Sequence, residues 1–167
     1  DEIIHSARGV TKTNTARVST FQSPDIGTAG AIVAGRTTFY RKAAPRAERS
    51  LPDLEGLSSL PRVDIVNACA GAQPDIVQAC LDLGAQGIVL AGVGNGNASK
   101  EMVAALAEAV SAGVPVVRST RAGSGFVARN LEIDDDGLGF VAAGPLNPAK
   151  ARVLLQLVLL DTTDAAL

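Results

Sequence analysis

Gly92-Val93-Gly94-Asn95-Gly96-Asn97 sets alternating glycines and two asparagines between an apolar run and a helical pattern. Glycine lets backbone approach a ligand closely, and a helix N-terminus presents free N–H groups. The plainer reading is a tight turn in which Asn97 caps the helix that follows. A dinucleotide site is the sharper one, and it fails in detail. G-x-G-x-x-G needs glycine where Asn97 stands, and the acidic residue expected about 20 positions on is missing. Arg118 and Arg121 occupy that region and would suit a 2′-phosphate, so an NADP-binding oxidoreductase domain stays as a rival.

Lys12 lies among small polar residues in Val10-Thr11-Lys12-Thr13-Asn14-Thr15. Taken alone it is an exposed strand lysine. Beside a carboxylate, its ammonium could organise proton transfer from a hydroxyl. Glu132 stands near Asp134, Asp135 and Asp136. Such a run reads as a solvated loop, since it lacks the acidic spacing and bidentate end-residue of an EF-hand. His5 is the only histidine, so no Ser-His-Asp constellation can be defended and no standard zinc site assembled. Gly27-Thr28-Ala29-Gly30 reads as turn chemistry at the entry to a hairpin, and Thr163-Asp164 as part of a frayed tail.

The elements that must position these residues follow from hydrophobic periodicity. Ala31 to Ala34 and Thr37 to Tyr40 flank a Gly35-Arg36 turn, which predicts a β-hairpin. Residues 41–60 read as linker, rich in charge, Ser and Pro. From Pro61 onward strands and helices alternate. Strands are expected at 63–67, 87–91, 114–118 and 139–142, and helices at 74–83, 98–111 and 149–160. Pro74 suits a first turn and Gly84 a left-handed stop, while Asn147-Pro148 reads as N-cap and first helical residue. The last helix is apolar on nearly every side beyond Arg152, which predicts thorough burial. Alternation of this kind implies an α/β domain with a parallel sheet of about four strands. Ligands of such sheets bind at the carboxyl ends of the strands, which singles out loops 92–97 and 118–132.

Composition sets the outer bounds. The 167 residues are 47% hydrophobic and 19% charged, enough for a core and too little charge for disorder. Aromatics are only 3% with no Trp, so Ala, Val, Leu and Ile must build that core. A net charge of −2 argues against a dedicated nucleic-acid or anionic-membrane binder. The local basic cluster of Arg36, Arg41, Lys42, Arg46 and Arg49, next to Pro45 and Pro52, reads as a solvated connection rather than a phosphate groove. The longest apolar run, Val153 to Leu160 broken by Gln156, is too short to span a bilayer. Cys69 and Cys80 cannot build a disulfide framework, and burial as small hydrophobes is expected of both.

Taken together, four blocks resemble the type II bacterial L-asparaginases and glutaminase-asparaginases. They are DEIIHSARGVTKTNT at 1–15, GIVLAGVGNGNASK at 87–100, VPVVRSTRAGSG at 114–125 and GFVAAGPLNPAKARVLLQL at 139–157. The resemblance implies that residues 1–40 end a large N-terminal catalytic domain, that 41–60 link the domains, and that 61–167 form the smaller C-terminal α/β domain. It further implies that Lys12 is the catalytic lysine of a proton-relay triad. Asn97 and Glu132 would reach the active site of the neighbouring subunit, with Glu132 holding the substrate α-amino group. The partners implied are L-asparagine or L-glutamine and further copies of the chain, as an intimate dimer and a tetramer; no cofactor is implied. A type II enzyme would be periplasmic or secreted. Gly9 departs from the family, where many relatives have Asp, and loop 122–131 is individual, which leaves the preference between asparagine and glutamine open.

The chemistry suits these residue types. A neutral amide is a poor electrophile, so the family uses a Thr nucleophile and an acyl-enzyme, releasing ammonia. A carboxylate such as Glu132 recognises the ammonium of a zwitterionic substrate by a charge-assisted hydrogen bond. The family's TGGTI-like and TDT-like nucleophile segments are absent from these residues. Three readings therefore compete: an amidohydrolase half completed elsewhere, an NADP-binding domain, and a non-catalytic amino-acid-binding module. On the first, the chain by itself should release no ammonia from L-asparagine or L-glutamine above background in a coupled assay. Robust turnover would place the nucleophile inside it, at Thr11 or Thr28.

Overall fold

A computed structural model describes residues 1–42, 52 and 54–160. Two compact units are present, Asp1–Ser50 and Leu51–Leu167. The tail residues Thr163 and Asp164, Arg46 and Arg49, and part of the expected linker lie outside the described residues.

The first unit is built from short antiparallel strands. β1 (Ile3–Ile4), β4 (Gly30–Val33) and β5 (Arg36–Phe39) form one sheet in the order β1-β4-β5; β2 (Thr11–Lys12) and β3 (Phe21–Gln22) form a second. The expected hairpin is there, with its turn one residue earlier, at Ala34-Gly35. Val33 pairs with Arg36, and the two turn residues have φ of +49° and +74°. These are the signs of a type I′ turn, whose twist matches that of right-twisted strands. Gly35 takes the second freely, so Ala34 must accept the first. Arg41 donates to the carbonyls of Gly27 and Thr28, at 2.8 and 2.9 Å from Nη2. That member of the basic cluster clamps the hairpin's entry turn.

The second unit holds the expected parallel sheet. β6 (Val63–Asn67), β7 (Gly87–Gly92), β8 (Val116–Thr120) and β9 (Phe140–Ala142) lie in the order β6-β7-β8-β9, every pair parallel. Every residue of β7 and β8 is buried, as for central strands covered on both faces. The period of two sorts them. Ile88, Leu90 and Val116 face a core with Met102 and Leu106 of α2 (Lys100–Ser111) and Val77 of α1 (Asp75–Asp82). Val89 and Val117 face Ala151 and Leu155 of α4 (Pro148–Val158). One short helix was not anticipated, α3 (Asp135–Leu138).

Several local expectations are corrected. β8 starts at Val116 rather than residue 114, because Pro115 has no N–H to give the ladder; its carbonyl accepts from Ile88 N at 3.0 Å. α2 is capped by Ser99, whose side chain accepts from Met102 N, and not by Asn97. Asn147 does cap α4, accepting from Lys150 N at 3.0 Å. That helix is not buried all round: Val153 and Leu154 are 49% and 50% exposed, since a helix on a sheet buries one stripe. Cys80 is buried, and burial pushes its thiol pKa up, whereas Cys69 lies exposed just past the end of β6. Among the described residues no helix is long and apolar enough to cross a membrane.

Leu106 has no exposed surface and sits where α2 meets the sheet. Leu106→Ala should destabilise the second unit by about 2–5 kcal/mol in urea unfolding, through lost transfer energy plus a cavity.

Candidate functional site

Both loops singled out by the sheet rule leave its carboxyl edge, one after β7 and one after β8. The first closes on itself. Val93 and Asn97 exchange two backbone hydrogen bonds of 2.8 Å, so the return through the three residues between them is narrow. A Cβ on Gly92 would lie 2.3 Å from the carbonyl carbon of Gly96, and one on Gly96 would lie 2.9 Å from Arg118 Nη1. The glycines therefore admit the protein's own backbone and Arg118. The end of β8 stitches the loop down: Thr120 Oγ1 donates to the Gly94 carbonyl at 2.7 Å, and Arg121 N to that of Gly92 at 2.8 Å.

Arg118 is wholly buried and forms a two-pronged ion pair with Asp135, also wholly buried: Nε to Oδ1 at 2.7 Å and Nη2 to Oδ2 at 2.6 Å. Its other contacts are the carbonyls of Asn95 and Ala128. This corrects two expectations. Arg118 is spent internally and cannot meet a 2′-phosphate, which removes the main support of the NADP reading. The acidic run is a solvated loop only in part, since Glu132, Asp134 and Asp136 are exposed but Asp135 is not. Asp134 caps α3 by accepting from Gly137 N at 3.0 Å, and Asp135 is core. Asp134 and Asp136 stay exposed, and hydrogen bonds from Asn130 and Arg129 hold the Asp136 carboxyl below the usual carboxylate range. The available signal was Arg118 itself: a charge inside the fully apolar run Val116-Val117 demands a buried partner.

Asn97 is half-buried at the close of the first loop, and Glu132 is exposed in the second. The two loops are joined directly, since Asn95 Oδ1 accepts from Ala128 N at 2.9 Å. Asn95 Nδ2 is the one buried side-chain polar atom without a hydrogen-bond partner among the described residues.

Lys12 belongs to the first unit, exposed on β2 opposite Phe21. Its motif neighbours serve the turn that follows. Thr13 donates twice to the Thr20 carbonyl, at 2.8 Å from N and 2.9 Å from Oγ1. Asn14 Oδ1 accepts from Ala16 N and Arg17 N, and Thr20 Oγ1 from Asn14 N. His5 Nδ1 is paired with Ser23 Oγ at 2.8 Å. At Gly9 a Cβ would lie 2.4 Å from the Ile26 side chain, so a larger residue there requires Ile26 to move.

A parallel α/β domain with a braced pair of loops at its carboxyl edge is the kind of protein defined so far. Residues 62–166 match the Glutaminase/Asparaginase C-terminal domain, and the chain belongs to that family. It is 45% identical over 159 residues to the probable periplasmic L-asparaginase of Haemophilus influenzae, covering 95% of this chain and 46% of that protein. It is 44% identical over 165 residues to L-asparaginase 2 of Escherichia coli, covering 98% and 47%. Against the glutaminase-asparaginase of Pseudomonas fluorescens the identity is 37% over 164 residues, covering 97% and 45%. The chain thus spans about half the length of the curated relatives it matches.

The loop geometry separates two glycines. Gly96 has φ +80° and no room for a Cβ, while Gly94 has φ +52° and open space. Gly94→Ala should cost only the strain of a left-handed residue, roughly 1–2 kcal/mol. Gly96→Ala should cost clearly more in the same urea titration, because the clash with Arg118 adds to it.

Proposed function

We propose that this chain is the C-terminal part of an amidohydrolase that converts L-asparagine or L-glutamine to the acid and ammonia. In this reading residues 1–40 end the catalytic domain, 41–60 link, and 61–167 form the C-terminal domain. The observation that carries it is that VTKTNT and GVGNGN stand in one chain, inside matches of 44–45% identity that cover 95–98% of it. The Thr nucleophile lies outside this segment. A periplasmic or secreted location is supported by the name of the Haemophilus influenzae relative.

Lys12 acts on the proton that the nucleophilic hydroxyl must lose. A threonine hydroxyl is a weak nucleophile, and a positioned acid–base group is typically worth about 10²–10⁴-fold. Asn97 and Glu132 serve the far end of the substrate. The exposed Glu132 carboxylate meets the α-ammonium, and the Asn97 amide offers both a donor and an acceptor. They act in the active site of a neighbouring copy, so the working unit is a two-fold dimer, doubled to a tetramer.

The test uses the whole enzyme, completed by its N-terminal segment. Lys12→Met should lower kcat by about 10²–10⁴-fold with KM changed far less. Glu132→Ala should chiefly raise KM, by roughly 10–100-fold for a charged hydrogen bond worth about 1.5–3 kcal/mol. Mixed after subunit exchange, the two variants should recover activity, because a hybrid dimer contains one site intact at both positions. Exchange without recovery would mean that each site is built within a single chain.

A further inference from the structure

The Arg118–Asp135 pair is placed oddly for an element of core stability. A buried charge is expensive, and replacing such a pair with apolar residues is often neutral or stabilising. Here the sheet face before it is apolar, with Val116 two positions before Arg118 on the same side of β8, and the buried Thr120 follows two positions after. Where the pair's remaining bonds go is the informative point. Arg118 gives Nη1 to the Asn95 carbonyl and Nη2 to the Ala128 carbonyl at 2.9 Å. Asp135 Oδ2 takes Asn130 N at 2.8 Å in addition to the guanidinium.

Each of these acceptors and donors belongs to one of the two loops at the carboxyl edge. Asn95 precedes Asn97 by two residues, and Asn130 precedes Glu132 by two. The bond from Ala128 N to Asn95 Oδ1 closes a ring: Arg118 to Asn95, Asn95 to Ala128, Ala128 back to Arg118. At Asn130 the backbone turns with φ +55°, and its side chain is held by Asp136 at both ends, 2.8 Å from Nδ2 and 3.1 Å to Oδ1. A planar guanidinium gripping a carboxylate at two points resists rotation, so movement of one loop is passed to the other.

We propose that Arg118 and Asp135 are positioning residues that hold the Asn97 loop and the Glu132 loop at one fixed spacing. The two substrate groups are thereby presented as a unit. This rests on the reading of Asn97 and Glu132 as substrate-binding residues. A carboxylate and an amide that must meet one small zwitterion tolerate little error, since misplacement by an ångström can cost on the order of 10²-fold.

The experiment is a KM cycle in the whole enzyme, with Asp135→Asn and Arg118→Lys each made alone and together with Glu132→Ala. Arg118→Lys keeps the charge and loses the fork, which guards against the harsher variant failing to fold. Either change should raise KM for L-asparagine by roughly tenfold or more and move kcat much less. In the Glu132→Ala background the same change should add clearly less, because the group being positioned is gone. On the unaltered chain, amide exchange should find Ala128 and Asn130 protected despite their loop setting, opening together with Asn97. KM effects that multiply in full, or a loss of melting temperature with KM unmoved, would overturn the proposal. If Glu132→Ala itself leaves KM unchanged while those amides stay protected, the substrate role of Glu132 falls and takes the proposal with it. Unprotected amides beside an intact Glu132 effect overturn the brace alone.

Discussion

Burying a guanidinium in the middle of a central strand is the constraint around which the carboxyl edge of this sheet is arranged. Arg118 has no contact with solvent, so each of its donors must find an acceptor or cost several kcal/mol of lost hydration. Asp135 meets two of them, and the loops on either side supply carbonyls for others. Much of the local chain follows from that demand. Residue 96 must be glycine because the guanidinium occupies the space of its side chain. Asp135 must be turned inward, which the one-turn helix α3 achieves between its Asp134 cap and the left-handed Gly139 stop. What reads as a loop rich in acid is the return half of an ion pair begun on β8.

The parts of this architecture legible in the sequence are those decided locally. Continuous apolar runs at 87–91 and 116–117 can only be central strands, and Asn147-Pro148 can only open a helix. Misreadings arise where a distant residue decides. Asn97 has the side chain of a helix cap, yet its backbone is taken by Val93, and the cap passes to Ser99. The hairpin turn moved by one residue because strand twist set the φ signs, not because glycine sat in the middle. Cys69 is open to solvent through its place past the end of β6, which no hydrophobicity value encodes. Asp135 needed a partner 17 positions earlier to be understood.

The candidate site shows the same division. Within VTKTNT, the residues after Lys12 are used by the turn: Asn14 and Thr20 tie its ends, and Thr13 doubles its hold on Thr20. The motif is thus largely a device for fixing a short strand, with the lysine as its free passenger. GVGNGN divides likewise: Gly92, Asn95 and Gly96 answer to backbone packing and Arg118, and Asn97 closes the loop through its backbone. A motif's length measures how much support one chemical group needs.

The strand order β6-β7-β8-β9 is also the order of synthesis. A chain emerging from the ribosome can therefore add each strand to an edge already present, without threading or waiting for a remote partner. One step breaks that simplicity. When β8 arrives beside β7, Arg118 enters the growing sheet with its counter-charge not yet attached, because Asp135 follows 17 residues later. Docking of β8 is penalised until that stretch emerges and α3 swings in. The late half of that pair thus ties the strand β8 to the residues that lead into β9 across 17 positions of chain.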